Sequence, residues 1–256
     1  MTVDACAALV QRGDPDRFAA TMTAPVAARA PLFVLYAFNL EVARAPWVTK
    51  EAMIAEMRLQ WWRDILAEAA RGQSRAHEVA GPLAALIRDN DLPAGLLDRL
   101  VEARRWDIYA DPFEDRAAFD AYLDDTAAGL FWAGACALGA PAAAEAPVRA
   151  FGWAAGLAAY LRAVPALEDR GRVPLIDGRA EAVAALAREG LARLDDYART
   201  RAAIPQPARA ALHAGWQAPA LLRLAAREPL RVADGTLALS EFARRFGLTR
   251  LSLLGL

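Results

Sequence analysis

The chain has 256 residues, 56% of them hydrophobic and 24% charged, enough to bury one sizeable core and within the range of a single domain over residues 1–256. Thirty basic and 31 acidic side chains leave a formal net charge of -1, which excludes a global field drawing the chain to nucleic acid or to an anionic membrane. Cys6, Cys136, His77 and His213 stand far apart, which excludes zinc, haem and iron–sulfur spacings and fits a reducing compartment, the cytoplasm.

The opening stretch, MTVDACAALVQRGDPDR, has an acid at position 4 and no basic-then-apolar run, so no secretory signal is expected and the mature chain is expected to begin at Met1. Helical periodicity predicts a helix over 26–45. A second is predicted over 49–71, with Thr49 as N-cap candidate and an apolar stripe of Met53, Met57 and Trp61 widened by Ile54 and Ile65. Large aromatics at this spacing belong in a core, so Trp61 and Trp62 are expected to be packed. Arg58 and Arg63 are expected to pair with Glu56 and Asp64 on the surface of the same helix.

Weaker helical patterns follow over 83–109, 116–139, 147–164, 180–202 and 208–226, and no alternating β-branched run competes with them, so an all-α fold is predicted. Residues 127–144 are uncharged and raise the question of a membrane span. They are mostly alanine and glycine and contain Pro141, so a buried helix and no transmembrane segment are expected, with Cys136 an inert buried thiol. The proline-containing stretch PALEDRGRVPLIDGR, 165–179, reads as a loop. The final EFARRFGLTRLSLLGL alternates basic and apolar residues. A terminal helix closing the bundle is expected, with peripheral contact to a membrane or a partner helix as the alternative.

Four stretches resemble the squalene/phytoene synthase family in order and spacing, across about two-thirds of the chain. RFAATMTAPVAARAPLFVLYAF is similar to its entry motif through Phe18, Pro25, Arg29 and Tyr36. EMRLQWWRDIL resembles its tryptophan–arginine helix, and RRWDIYADPFEDRAAFDAYLDDTAAGL its "MDL…F…L…Y…VAG" stretch. GLAAYLRAVPALEDRGRVPLI resembles its "N-x-x-R-D…GR-x-Y-x-P" segment. The resemblance implies a single isoprenoid-synthase-type helical bundle with a central cavity. In active members two facing helices each carry D-x-x-x-D, whose carboxylates share Mg²⁺ ions that neutralise the leaving diphosphate.

Carried over from Tyr36, the first aspartate pair falls on Ala43 and Trp47 and the diphosphate-binding arginine on Leu40. Carried over from Leu161 and Arg162, the second motif places its asparagine on Ala159 and its aspartates on Ala163 and Leu167. Pro165 lies between them and is expected to break the helix. The family tyrosine falls on Leu123, so Tyr36, Arg162 and the Arg172 loop are what remains of the polar equipment. The expected cavity wall is therefore Tyr36, Leu40, Ala43, Trp47, Leu123, Ala159, Arg162, Ala163 and Leu167, with no catalytic residue, no metal and no cofactor. The alternative is an active prenyltransferase joining two prenyl diphosphates, its Mg²⁺ held by displaced aspartates Asp107, Asp111, Asp120 and Asp124. Against it, Arg104, Arg105 and Arg116 are interleaved with those acids as counter-ions, and Asp107 matches the aspartate of the family's "MDL" stretch, so it is expected to cap or buttress instead of chelating.

Within the family, AFN-x-E-x-A and LRA-x-P resemble a non-synthase branch that serves mitochondrial complex I. The resemblance implies a pseudoenzyme that assembles or scaffolds a respiratory NADH dehydrogenase, with one of its subunits or assembly proteins as partner. A protein that holds a prenyl lipid or quinone without reacting it is the third possibility.

Overall fold

The computed structural model describes residues 2–255, and of Leu254 the backbone alone. Every regular element among the described residues is helical. Helices α1 (Val3–Gly13) and α2 (Pro15–Met22) meet at Asp14, whose side chain accepts from the Arg17 amide at 2.9 Å and caps α2 with Pro15 at its first position. Helix α3 (Val26–Arg44) follows the extended Pro25 and buries Leu32, Leu35, Tyr36, Phe38 and Val42. It ends in a 3-10 turn, Ala45–Trp47, where Pro46 cannot continue the α-helical ladder.

Helix α4 (Ala52–Ala70) corrects two expectations. Its N-cap is Glu51, and Thr49 instead accepts from the Glu51 amide at 3.0 Å. The Met53, Ile54 and Met57 stripe faces outward, 76%, 40% and 66% exposed, because the fuller stripe of Ala55, Leu59, Trp62, Ile65, Leu66 and Ala69 takes the core side. Trp62 is buried against Phe38, and Trp61 is half-buried with its edge against Trp62 and His77. Arg63 reaches across to Asp98 and Glu102 at 2.7 and 2.6 Å, while Glu56 takes Arg105 at 2.9 Å and Asp64 takes Gln60. The Arg63 and Glu56 pairs link elements, because Asp98, Glu102 and Arg105 lie beside α4, and only Gln60 with Asp64 stays within the helix.

The 83–109 pattern is two helices, α5 (Ala80–Asp89) and α6 (Ala94–Ala103), divided at Pro93 and followed by a 3-10 turn, Arg104–Asp107. Helix α7 (Arg116–Leu123), capped by Asp115, runs through one π-helical turn, Asp124–Ala128, into α8 (Gly129–Ala137). A π turn widens the helix by one residue per turn and re-aims the side chains on it. Residues 127–144 therefore form no continuous span: α8 stops at a left-handed Gly139 (φ 82°) before Pro141.

Helix α9 (Glu145–Glu168) is the central element, apolar on nearly every side and buried along Val148, Phe151, Trp153, Leu157, Leu161 and Val164. It continues through Pro165 and so takes the first residues of the expected loop. A proline this near the C-terminus removes one amide bond and leaves the last turn intact. Helix α9 approaches the π turn so closely that a Cβ on Gly152 would lie 2.7 Å from the Ala128 Cα, so that position admits only glycine without a shift. Val26–Trp47 and Ala142–Glu168 are long and apolar enough to cross a membrane, but 56% and 67% of their apolar windows are buried within the bundle, which accounts for their composition.

Helix α10 (Ala180–Thr200) packs on α9, and the 208–226 pattern resolves into α11 (Gln206–Arg209), a 3-10 stretch Ala210–Gly215 and α12 (Ala218–Arg227). The short α13 (Leu230–Ala233) leads to α14 (Glu241–Leu254), capped by Ser240.

His213, in the 3-10 stretch, is buried with its Nδ1 2.8 Å from the Thr23 hydroxyl, which itself donates to the Ala20 carbonyl. Burial holds its pKa below the ordinary histidine value. The unfolded chain therefore binds the proton more readily, so this contribution to stability is present above about pH 6.5 and is lost as pH falls through the depressed folded value. The unfolding free energy is expected to decline below about pH 6.5 with a slope of at most about 1.4 kcal/mol per pH unit from this residue. His213→Gln is expected to flatten that decline in denaturant titrations run between neutral and mildly acidic pH. An unchanged slope in the variant would show that other groups carry it.

Candidate functional site

A cavity of about 340 Å³ opens between α3, α9 and the segment that passes through the π turn. Helix α9 supplies one wall through Ala155, Gly156, Ala159, Tyr160, Ala163, Ala166 and Leu167, positions three and four apart that share one face. The opposite wall is Tyr122, Leu123, Thr126, Ala127, Leu130 and Phe131, again at helical steps across the widened turn. Helix α3 and its 3-10 turn add Asn39, Ala43 and Trp47. Arg17, Arg104, Asp107, Arg170 and Ala214 complete the lining.

Six of the nine residues expected at the wall are there: Ala43, Trp47, Leu123, Ala159, Ala163 and Leu167. Three lie elsewhere. Tyr36 is fully buried behind Arg17, whose guanidinium lies over the ring at 5.0 Å; its hydroxyl donates to the Ala211 carbonyl at 3.2 Å, and burial pushes its pKa up to about 12. Leu40 points toward Gly13 of α1, since it is rotated about 100° from Asn39 around the helix. Arg162 leaves the cavity face of α9, is 43% exposed along its side chain and approaches Asp16 at 3.9 Å.

The displaced aspartates do not converge. Asp107 alone reaches the cavity, nearly fully buried, where it accepts from Arg104 at 3.1 Å and from the Tyr122 hydroxyl at 3.1 Å. Arg104 also donates to the Tyr122 oxygen at 2.8 Å. Burial works against the Arg104 charge, but Tyr122 and Asp107 outweigh it and raise its pKa; burial, together with Asp107, likewise raises that of Tyr122. Asp120 pairs with Arg116 at 3.0 Å, Asp124 with Arg149 at 2.9 Å, and Asp111 is exposed. Among the described residues no three histidine, cysteine, aspartate or glutamate side chains gather as metal ligands do. The donor set thus does not fit the Mg²⁺ cluster that the fold implies, because its acid positions carry methyl, isobutyl and indole groups.

The mouth is built by an arginine loop. Arg170 lies over the Trp47 ring at 4.5 Å and Arg172 at 5.4 Å, and Arg172 donates to the carbonyls of Trp106 (3.2 Å) and Asp107. Trp106 stacks on Phe113 at 4.1 Å and meets Tyr122 edge-on, and Tyr160, whose hydroxyl donates to the Pro174 carbonyl at 2.8 Å, joins the same aromatic cluster. Asn39 is buried with an unpartnered Oδ1 beside the cavity. Sequence reasoning did not place Arg17, Asn39, Tyr122, Tyr160 or Arg170 at the cavity, and it named Arg104 only as a counter-ion of the nearby acids, which it is for Asp107. Asn39 was within reach, since it directly follows the "YAF" that set the register.

An all-helical bundle closed around one central cavity between facing helices is the isoprenoid-synthase type of fold. It superposes on a dehydrosqualene synthase with a TM-score of 0.81 over 97% of this chain and 94% of that one, at 16% identity. It also superposes on squalene synthase HpnC from Alicyclobacillus acidocaldarius with a TM-score of 0.77 over 89% and 94%, at 17% identity. The squalene/phytoene synthase family model matches residues 10–243, and the chain belongs to that family. Among curated relatives it is similar to the NADH dehydrogenase (ubiquinone) complex I assembly factor 6 of Bos taurus, 24% identical over 66% of this chain and 51% of that protein. The Drosophila melanogaster homolog is 31% identical over 67% of this chain and 53% of that protein. The chain spans about half the length of these relatives.

Proposed function

We propose that this chain is a non-catalytic member of its family that acts as an assembly or scaffold factor for a respiratory NADH dehydrogenase. The observation that carries the reading is the cavity wall itself: Ala43, Trp47, Ala163 and Leu167 line it at the positions matched to the family's metal-binding acids, and each is apolar. Asp107, the one carboxylate present, is already committed to Arg104 and Tyr122. The similarity to complex I assembly factors of animals supports the same reading from a different direction. Removal of the gene is expected to lower membrane NADH dehydrogenase activity and leave carotenoid and hopanoid levels intact. Normal respiration in the deletion strain would remove the assembly role, and depleted isoprenoid products would return the chain to the enzymes.

A further inference from the structure

Helix α14 is held on one side only. Arg244 pairs with Asp16 of α2, Leu251 is buried, and Gly247 lies so near Trp216 that a Cβ there would meet the indole within 2.9 Å of its Cε3. The opposite side carries Phe242, Phe246 and Leu253, 79%, 62% and 77% exposed, with the two phenyl rings stacked at 6.2 Å. At about 100° per residue, Phe242, Phe246, Thr249 and Leu253 fall within about 60° of one another, and Arg245 and Arg250 flank that stripe on either edge. Both arginines are exposed. The helix's one acid, Glu241, is held by Arg244 and Arg245 at its first turn. In a chain of net charge -1, this is a locally basic, locally greasy ridge.

We propose that α14 docks this protein on an anionic lipid surface, with Phe242, Phe246 and Leu253 in the headgroup–acyl boundary and Arg245 and Arg250 on lipid phosphates. A narrow apolar stripe with guanidinia along both edges matches a planar surface that is apolar beneath and negative above. A second copy of the chain fits worse. Antiparallel pairing centred on the stripe would bring Arg245 beside Arg245 of the second copy along one edge and Arg250 beside Arg250 along the other, with no free acid between them.

The test is co-sedimentation of the full chain with phosphatidylcholine vesicles, with and without phosphatidylglycerol. The expected result is binding to the phosphatidylglycerol vesicles that weakens with salt, and little binding to phosphatidylcholine alone. Removing both charges, Arg245→Gln with Arg250→Gln, is expected to weaken binding about 30-fold, at roughly fivefold per arginine near an anionic surface. Phe242→Ser with Phe246→Ser is expected to release the chain into the supernatant. These side chains are exposed, so both variants are expected to keep the parent melting temperature, which separates lost docking from lost folding. A parent chain that stays in the supernatant with anionic vesicles would overturn the proposal, as would a phenylalanine variant that sediments as well as the parent. So would a dimer in sedimentation velocity that the phenylalanine variant dissociates without change in vesicle binding.

Discussion

Asp107→Ala is expected to destabilise the protein by about 3–5 kcal/mol, because it strands Arg104 inside the bundle. The pair is not a surface ornament: the Asp107 side chain is 4% exposed and that of Arg104 is 18% exposed. Asp107 also accepts from Tyr122, so its loss leaves that buried hydroxyl with Arg104 alone. For a chain of this size about 2–4 °C of melting temperature corresponds to each kcal/mol, so a fall of roughly 10 °C is expected by differential scanning calorimetry. Asp107→Leu combined with Arg104→Met is expected to recover much of the loss, since removing both partners leaves no unpaired charge. Mg²⁺ is expected to leave the parent melting temperature unchanged, because a ligand stabilises only what it binds. A single variant within about 2 °C of the parent, or a rise with Mg²⁺, would show that Asp107 is free to do something other than brace the cavity.

The second large effect is the absence of one. Incubation with farnesyl or geranylgeranyl diphosphate and Mg²⁺ is expected to release no pyrophosphate above the buffer blank. Each metal-bound diphosphate oxygen is worth several kcal/mol of charge stabilisation, and about 1.4 kcal/mol is tenfold in rate. Losing about 5 kcal/mol alone slows ionisation on the order of 10³–10⁴-fold. The arginines at the mouth do not replace the acids, since they bind anions directly but cannot gather Mg²⁺. The displaced aspartates do not replace them either, because Asp120 and Asp124 are paired with Arg116 and Arg149. Pyrophosphate release that disappears in Asp120→Ala with Asp124→Ala would refute the pseudoenzyme reading outright.

Much of the cavity was legible in the sequence because helical register is one-dimensional information. Once Tyr36 and Leu161 anchored the family's motifs, carrying those motifs over residue by residue placed Ala43, Trp47, Ala159, Ala163 and Leu167 on the cavity wall that the resemblance implies, and the structure has them there. The same carry-over erred at Leu40 and Arg162. Each belongs to the right turn but points away from the cavity, and only the neighbours, Gly13 and Asp16, show where each side chain goes. Arg170 was not found, because a polar residue beside an apolar wall has no periodic signature.

The sequence by itself determined the all-helical class, the bundle and the replacement of acids by alanine, tryptophan and leucine along the helices that face the cavity. The helical class is a property of period and local order, whereas the bundle and the replaced acids follow from the resemblance of its motifs to the family's, and none of these needs a distant contact. Only the tertiary structure decided that α4 buries its Leu59 and Trp62 stripe and leaves its methionines outside. It alone brought Tyr122 onto the Asp107–Arg104 pair, carried Arg172 to carbonyls more than sixty residues away, and left the phenylalanines of α14 outside. The physical reason is common to all of them. When a helix carries two apolar stripes, or a charge has several candidate partners, its free energy depends on which remote segment excludes water from it, and sequence spacing carries no record of that choice.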